Sequence, residues 1–424
     1  MIGNHASPDL QQGLITALDI GTDKVCCLIG APLIGADNGL DPSFELVGIG
    51  HRASRGIKSG MVIDPEAAES SIRAAVEIAE QMAGENIHKV YVGLNISKSI
   101  SKLITLETVI DGRQVDNADL KRVLDPSALI AELHSDHELI HAVPIGYALD
   151  GMRGIRDPRG MHGSRLSVNL HMISSSSGPI ENLKTAVGRC HLEVERFIVS
   201  SFASALATLA EDEAKLGAIC IDMGSGTTSV SVFFDNELIY ACVIPVGGGH
   251  VTNDIARGLS TPLLNAERMK TLYGNCFSST SDDMEVIQVP LIGEDESSEN
   301  HVPRRMLIEI IRPRIEEIFE LISSCLVERG LENISNRVVL TGGGAQLPGV
   351  IQCASQILGK KVRVACPRNI KGMADAITGP PFSVALGILH SAFLGQKTQL
   401  EFDQPIMTPN SHFGKISQWL RENF

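Results

Sequence analysis

The sequence is short of positive charge: its 50 acidic against 36 basic residues leave a net charge of −14. Nucleic-acid binding needs grouped cations that displace counterions from phosphates, so that class of partner is excluded. None of the nine cysteines forms a C-x-x-C pair, and the adjacent Cys26 and Cys27 sit in a strand-like run. They are read as reduced cytosolic thiols rather than a disulfide framework. No uncharged apolar run reaches the roughly 18 residues that span a bilayer, so any membrane contact is expected to be peripheral. The opening MIGNHASPDLQQG has no basic stretch followed by an apolar one, and no secretory signal is expected there.

What is present is a 43% apolar, 20% charged composition with 40 glycines, the profile of a loop-rich α/β protein. A chain of 424 residues exceeds one ordinary core, which implies two to four packing units in a two-lobed body. An internal echo supports the two lobes. ITALDIGTDKVCCLIG (Ile15 to Gly30) recurs in kind as AICIDMGSGTTSVSVF (Ala218 to Phe233): an apolar run ending in Asp, a turn rich in Gly and hydroxyls, then a second apolar run. Each lobe is expected to open on such a hairpin.

Between the echoes, residues 65–83 carry apolar positions at helical spacing and 88–94 read as a strand, giving a β, β, α, β order that favours a mixed sheet covered by helices. Residues 100–165 differ in texture, with short strands and the loop GMRGIRDPRGMHGSR, and are read as an inserted small domain. After the second hairpin come the run Gly247 to Gly249, helices near 253–259 and 265–273, and an amphipathic helix over about 305–328 that Pro313 is expected to kink. RVVLTGGGAQLPGV then returns as strand, turn and helix. The lobe cores are accordingly drawn as 10–99 with 166–213 and a returning 382–395, and as 214–256 with 338–381. Residues 257–337 form the small subdomain of the second lobe, 396–411 a linker, and 412–424 a terminal amphipathic helix.

Three Gly-rich turns, DIGTDK, DMGSGTT and TGGGAQ, each follow an apolar strand, a setting in which backbone N–H groups can face phosphate oxygens without a Cβ in the way. Gly21, Gly224, Gly226, Gly248 and the run Gly342, Gly343 and Gly344 are the candidates. Asp19 and Asp222, one from each lobe, suit a hydrated Mg²⁺ bridging nucleotide phosphates. Thr22, Lys24, Ser225, Thr227 and Thr228 would add hydroxyl and cationic contacts to the β- and γ-phosphates.

This pattern resembles the superfamily of actin, heat-shock chaperones and sugar kinases, with two phosphate loops and one adenosine loop. NAERMKTLYG is similar to its ribose- and adenine-binding helix, which would put Glu267 on the ribose and Lys270 beside the base. Within the superfamily the chain resembles the FtsA family of bacterial cell-division proteins almost end to end, through GIRDPRGMHGSRL, HAVPIGYALDG, VIPVGGGHVTNDIA, VVLTGGGAQLPG and the terminal WLRENF. The resemblance implies an actin-like two-lobed fold with an FtsA-type insertion at 100–165 and a C-terminal amphipathic helix. It further implies ATP and Mg²⁺ as ligands, assembly with copies of itself, and a peripheral position on the inner face of the bacterial cytoplasmic membrane at the septum. FtsZ and later division proteins would be its partners. The FtsZ tail would dock on about 257–337, with Arg304, Arg305 and Glu309 as candidate contacts.

Two departures bear on chemistry. Asp23 stands where relatives carry a small hydroxyl residue, adding negative charge beside the γ-phosphate site. In IVSSFASALATL, Ser200 or Ser201 occupies the place where polymerising relatives put a Glu or Gln to orient the attacking water, so any ATPase activity is expected to be slow. GIGHRA, at 48–53, matches G-x-G-x-x-A, but no helix follows as a dinucleotide site requires, and it is read as a turn. His134, Asp136, His137 and His141 are read as solvated or locally bonded rather than as a zinc site.

In the last stretch Phe413, Ile416, Trp419, Leu420 and Phe424 fall within roughly 140° of a helical wheel, with Lys415, Gln418, Arg421 and Glu422 opposite, the pattern of an interfacial membrane helix. A small-molecule kinase of the same fold would need an Asp base for which no matching motif is present. A chaperone would need a peptide-binding domain beyond the second lobe. A pilus-assembly relative of actin would lack the terminal helix.

Overall fold

The computed structural model describes residues 13–33, 44–293, 300–368 and 370–400. The echo in the sequence becomes a repeated topology. In the first lobe, Ile15–Ile20 pairs antiparallel with Lys24–Pro32, which pairs antiparallel with Phe44–Ala53. On its other side Ile15–Ile20 runs parallel to Lys89–Leu94, and that strand parallel to Glu193–Val199. In the second lobe Ala218–Met223, Thr228–Phe234 and Glu237–Ile244 repeat the antiparallel arm, and Arg337–Thr341 and Lys361–Val364 repeat the parallel arm. Numbered within each lobe, both five-stranded sheets have the order 3-2-1-4-5.

Local chemistry sets the covering helices. Pro65–Ala83 starts on Asp64, whose carboxylate accepts from the Ala67 N–H, and stops at Gly84 in the left-handed region, φ 74°. Its stripe Ala68, Ile72, Ala75, Val76 and Ala79 is buried. The stripe lies on Phe44–Ala53, and here the turn expected for GIGHRA is corrected: those residues belong to this strand. A Cβ on Gly50 would overlap the Ala75 carbonyl oxygen, so the glycines serve close helix packing rather than chain reversal. In the second lobe Arg304–Glu328 passes through Pro313 as one helix, burying Leu307, Ile311, Ile315, Ile318, Ile322 and Leu326 along one side.

The insertion is a four-stranded antiparallel sheet, ordered Ile100–Val109, Arg165–Ser176, His137–Leu149, Met152–Ile155, with helices Asn117–Val123 and Pro126–Ala131. Leu129, Leu166, Val168, Leu170 and Met172 are part of its separate core. The boundary expected at 165 therefore falls short, because Arg165–Ser176 is an inner strand of the insertion. One strand serves two cores, since Ile173 packs into the first lobe, so no break in composition marks the border. His141 is neither solvated nor bonded locally, the two alternatives expected, since its partner is 58 positions away. It is buried, with Nε2 accepting from the Val199 N–H at 3.4 Å.

The chain returns to the first lobe through Ser383–Leu400, which packs on Ser200–Thr208 so closely that a Cβ on Gly387 would overlap the Ala203 carbonyl. This helix runs through Leu400, beyond the expected start of a linker at 396. Phe413, Ile416, Trp419, Leu420 and Phe424 lie outside the described residues.

Candidate functional site

The two hairpins face each other across a cleft of about 390 Å³, within the usual size of a small-molecule site. Asp19 and Asp222 occupy the same place in their hairpins, each the last-but-one residue of the first strand, opposite Cys26 and Ser229. Both line the cleft. Burial pushes Asp19 up to about 6 against the nearby Lys24 charge. Asp222 rises to about 7, through burial first and the neighbouring Asp19 second. Two buried carboxylates in one recess, the first raising the second, form a site short of positive charge.

The turns around them are built by glycine. Gly21 N–H donates to the Lys24 carbonyl at 2.9 Å, closing the first. The second is bonded to the Gly247 to Gly249 run, through Gly248 N–H to the Gly224 carbonyl at 2.9 Å and Gly249 N–H to the Ser225 carbonyl at 2.8 Å. The third begins at Gly342, φ 82°, and a Cβ there would overlap Asp222 Oδ1. Only glycine lets that turn close over the carboxylate. Gly343, Gly344 and Gly226 also line the cleft.

The lobes meet inside the site. Thr22 of the first turn packs on Gly226 of the second, whose carbonyl accepts from Ser59 Oγ at 3.3 Å. Asn95 Nδ2 donates to Thr227 Oγ1 at 2.8 Å, and Asn95 Oδ1 is buried with no protein partner. Asn95 and Gly60 were missed by sequence reasoning. The available signal was position: Asn95 follows a parallel strand at its carboxyl end, where open α/β sheets bind ligands.

The remaining expected residues divide. Ser225 and exposed Asp23 line the cleft. Lys24 lines it too, but its ammonium donates to the Pro381 carbonyl at 2.6 Å and lies 3.5 Å from the centre of the Phe382 ring. Thr228 is not part of the cleft wall: it is buried in its strand and donates to the Val246 carbonyl at 2.8 Å. Glu267 and Lys270 reach the cleft and pair with each other at 2.7 Å, with Thr252 bonded to both. Of the two serines, Ser200 lines the cleft, and both its Oγ and Asp19 Oδ1 lie against Gly93. Ser201 is buried behind it.

Arg304 and Arg305 do not line the cleft and differ from each other. Arg304 is bonded inward, to Asp282 at 3.0 Å and to the Tyr273 carbonyl at 2.9 Å. Arg305 and Glu309 form an exposed pair at 2.9 Å.

Comparison with known proteins accords with this architecture. Residues 219–387 match the family described as Cell division protein FtsA, and residues 100–174 match the SHS2 domain inserted in FtsA. Among curated proteins, the cell division protein FtsA of Rhizobium meliloti is 39% identical over 433 residues, covering 98% of this chain and 96% of that protein. That of Escherichia coli K12 is 31% identical over 425 residues, with 97% and 98% covered. Among solved structures, the PilM-PilN type IV pilus biogenesis complex aligns at TM-score 0.62 and 17% identity over 89% of this chain and 97% of that one. MreB5 of Spiroplasma citri bound to ADP aligns at 0.55 and 14% over 93% and 100%. These likenesses identify the fold as actin-like. With 31–39% of its residues shared with these relatives across nearly their whole length, and with the insertion characteristic of that group in place, the chain belongs to the FtsA family.

Proposed function

We propose that this chain binds Mg²⁺-ATP between its lobes, assembles with copies of itself on the inner face of the cytoplasmic membrane at the septum, and tethers FtsZ filaments there while helping to recruit later division proteins. The observation that carries the nucleotide reading is the meeting of Asp19 and Asp222 under three glycine turns, with their carboxylates driven above the ordinary range. Such a recess favours a divalent cation and a ligand that presents phosphates to N–H groups. The fit extends to the buried, unpartnered Asn95 Oδ1, an acceptor suited to a water or ligand donor. Asp19 and Asp222 would hold the ion through water, and the ion would neutralise phosphate and carboxylate charge together. Gly21, Gly224, Gly226 and Gly342 to Gly344 would receive phosphates and adenosine, and Glu267 and Lys270 would exchange their mutual pair for ribose and base.

Because Thr22, Ser59 and Asn95 of one lobe touch Gly226 and Thr227 of the other, a ligand in the cleft would bias the angle between lobes and thus the surfaces offered to neighbouring copies. Among the described residues no helix is long and apolar enough to cross a membrane. Attachment is assigned to the apolar positions Phe413, Ile416, Trp419, Leu420 and Phe424 on their sequence pattern. That segment carries two cations and one anion, which adds little attraction to an anionic leaflet at roughly 1 kcal/mol per cation. Five large apolar side chains must supply most of the binding, and several tethered copies would be needed for stable attachment.

Co-sedimentation with anionic vesicles, with and without ATP and purified FtsZ, tests the whole reading. The parent should pellet with vesicles, more completely with ATP, and bring FtsZ with it. Trp419→Glu should stay in the supernatant while binding ATP normally. Equal pelleting of parent and Trp419→Glu would remove the terminal segment as the anchor, and FtsZ left in solution would remove the tether.

A further inference from the structure

Cys242 and Cys325 are 83 residues apart in sequence, yet their sulfurs lie 3.2 Å from each other in a shared hydrogen bond. Cys242 is on Glu237–Ile244, a strand of the second lobe's core sheet, and Cys325 is near the end of Arg304–Glu328, the long helix of its small subdomain. Both are half-buried and so remain reachable by a small reagent. The Tyr240 hydroxyl lies 3.1 Å from Cys325 Sγ, and the Arg329 guanidinium lies over the Tyr240 ring at 5.6 Å. Tyr240 and Arg329 form a polar corner around one sulfur of the pair, with the Glu328 carboxylate opposing the Arg329 charge.

We infer that Cys242 and Cys325 form a reversible disulfide site for low-molecular-weight disulfides of the glutathione type, joining the core sheet of the second lobe to the helix of its small subdomain. The sulfurs need to approach by about 1.2 Å to reach bonding distance. Their roles differ. Hydrogen bonding with Cys242, then with Tyr240, and the Arg329 charge together outweigh burial and the Glu328 carboxylate and hold the Cys325 thiol below its ordinary value, so Cys325 is the attacking sulfur. Cys242 is pushed up by its bond to Cys325 and by burial, and serves as the resolving thiol.

The Cys325 thiolate attacks the S–S bond of glutathione disulfide, forming a mixed disulfide and releasing one glutathione thiolate. Cys242 then loses its proton to solvent, attacks Cys325 Sγ and expels the second glutathione. Two protein thiols are oxidised to one disulfide while one glutathione disulfide is reduced to two thiols. Of the other cysteines, Cys26, Cys27, Cys220, Cys276 and Cys353 are buried, Cys190 is half-buried, and exposed Cys366 supplies an internal control for simple accessibility. The helix held by the bond also carries Ile315 into the wall of the cleft, so the oxidised form fixes that wall to the sheet.

The test is to incubate the full-length reduced protein with glutathione disulfide in native buffer, quench with acid, alkylate remaining thiols and map the products by mass spectrometry. A peptide linking Cys242 to Cys325 should appear, with a loss of two of the nine thiols that dithiothreitol restores. Cys242→Ser should stop at glutathione on Cys325, and Cys325→Ser should leave Cys242 unmodified at the same dose. Glutathione on Cys366 with Cys242 and Cys325 both recovered as free thiols overturns the proposal, as does linkage that appears only in urea. Oxidised parent should melt several degrees above reduced parent, because the bond closes a long loop. A linked protein with an unshifted melting temperature would overturn the claim that the bond constrains sheet and helix.

Discussion

Asn95 donates to the Thr227 hydroxyl at 2.8 Å, and this single bond runs from the first lobe to the second across the wall of the cleft. Removing the amide deletes the bond and the buried Oδ1 acceptor beside it. Asn95→Ala should weaken ATP binding by about three- to tenfold, the scale of one neutral hydrogen bond at about 1 kcal/mol. Calorimetry with Mg²⁺-ATP checks this, with an unchanged unfolding midpoint showing that the lobes remain folded. Equal affinity in parent and variant would mean that the bond plays no part in ligand-bound closure.

The carboxylate pair predicts a pH dependence with a definite sign. Asp19 at about 6 and Asp222 at about 7 both lie above the ordinary 3.8, so in the free protein their protonated forms favour the fold. Their contribution is complete below pH about 4 and is lost as pH rises through 6 and 7. Asp222→Asn, which cannot ionise, should flatten the fall in stability of the ligand-free protein between about pH 4 and 7 in denaturant titrations. Mg²⁺-ATP affinity should rise as the folded protein's carboxylates ionise through about 6 and 7. At pH 7.5 Asp19→Ala and Asp222→Ala should each bind at least tenfold more weakly, and unchanged affinity in both would remove the proposed site.

Turnover should be slow. Ser200 is the residue of the Ser200–Thr208 helix that reaches the cleft, beside Asp19, and a serine hydroxyl is a short group and a poor base for orienting water. Phosphate release should run well below about 10 per second, the median of enzymes. A rate near that median would show that some other group positions the water. Ser200→Gln, which restores the longer side chain, should raise the rate if it packs without displacing Asp19.

Arg304 and Arg305 are adjacent but should respond differently. Arg304→Glu opposes Asp282 and Glu285 and loses the bond to the Tyr273 carbonyl, so it should lower thermal stability and disturb any surface nearby. Arg305→Glu with Glu309→Lys inverts one exposed pair and sets the new carboxylate against exposed Asp283, so it should cost under about 1 kcal/mol. If the FtsZ tail docks here, that double variant should weaken binding of the tail peptide in fluorescence anisotropy while melting like the parent. Equal peptide affinity would move the contact away from the start of this helix.

Much of the fold was legible because its signals are local. ITALDIGTDKVCCLIG and AICIDMGSGTTSVSVF announce their hairpins by apolar runs and glycine turns within 16 residues, and the two sheets that grow from them share one strand order. The helix Pro65–Ala83 is bounded by its own Asp64, Pro65 and Gly84. The facing aspartates were legible for the same reason, each being tied to its turn. GIGHRA failed as a local reading because its glycines answer to a helix that packs over them, and a glycine chosen for close approach looks the same in sequence as one chosen for a turn.

By itself the sequence determined the paired hairpins and the glycine turns with their carboxylates, since each is a pattern over neighbouring residues. Tertiary structure alone decided which side chains share the cleft. Asn95 meets Thr227 across 132 positions, and Lys24 meets Pro381 across 357. Thr228 and Ser201 were assigned by nearness in sequence to residues that do reach the cleft, yet a strand and a helix turn successive side chains in different directions. Cys242 and Cys325 came together because the long helix lies against the third strand of the second sheet. Periodicity states which face of an element is buried, but what lies against that face depends on the path of the whole chain.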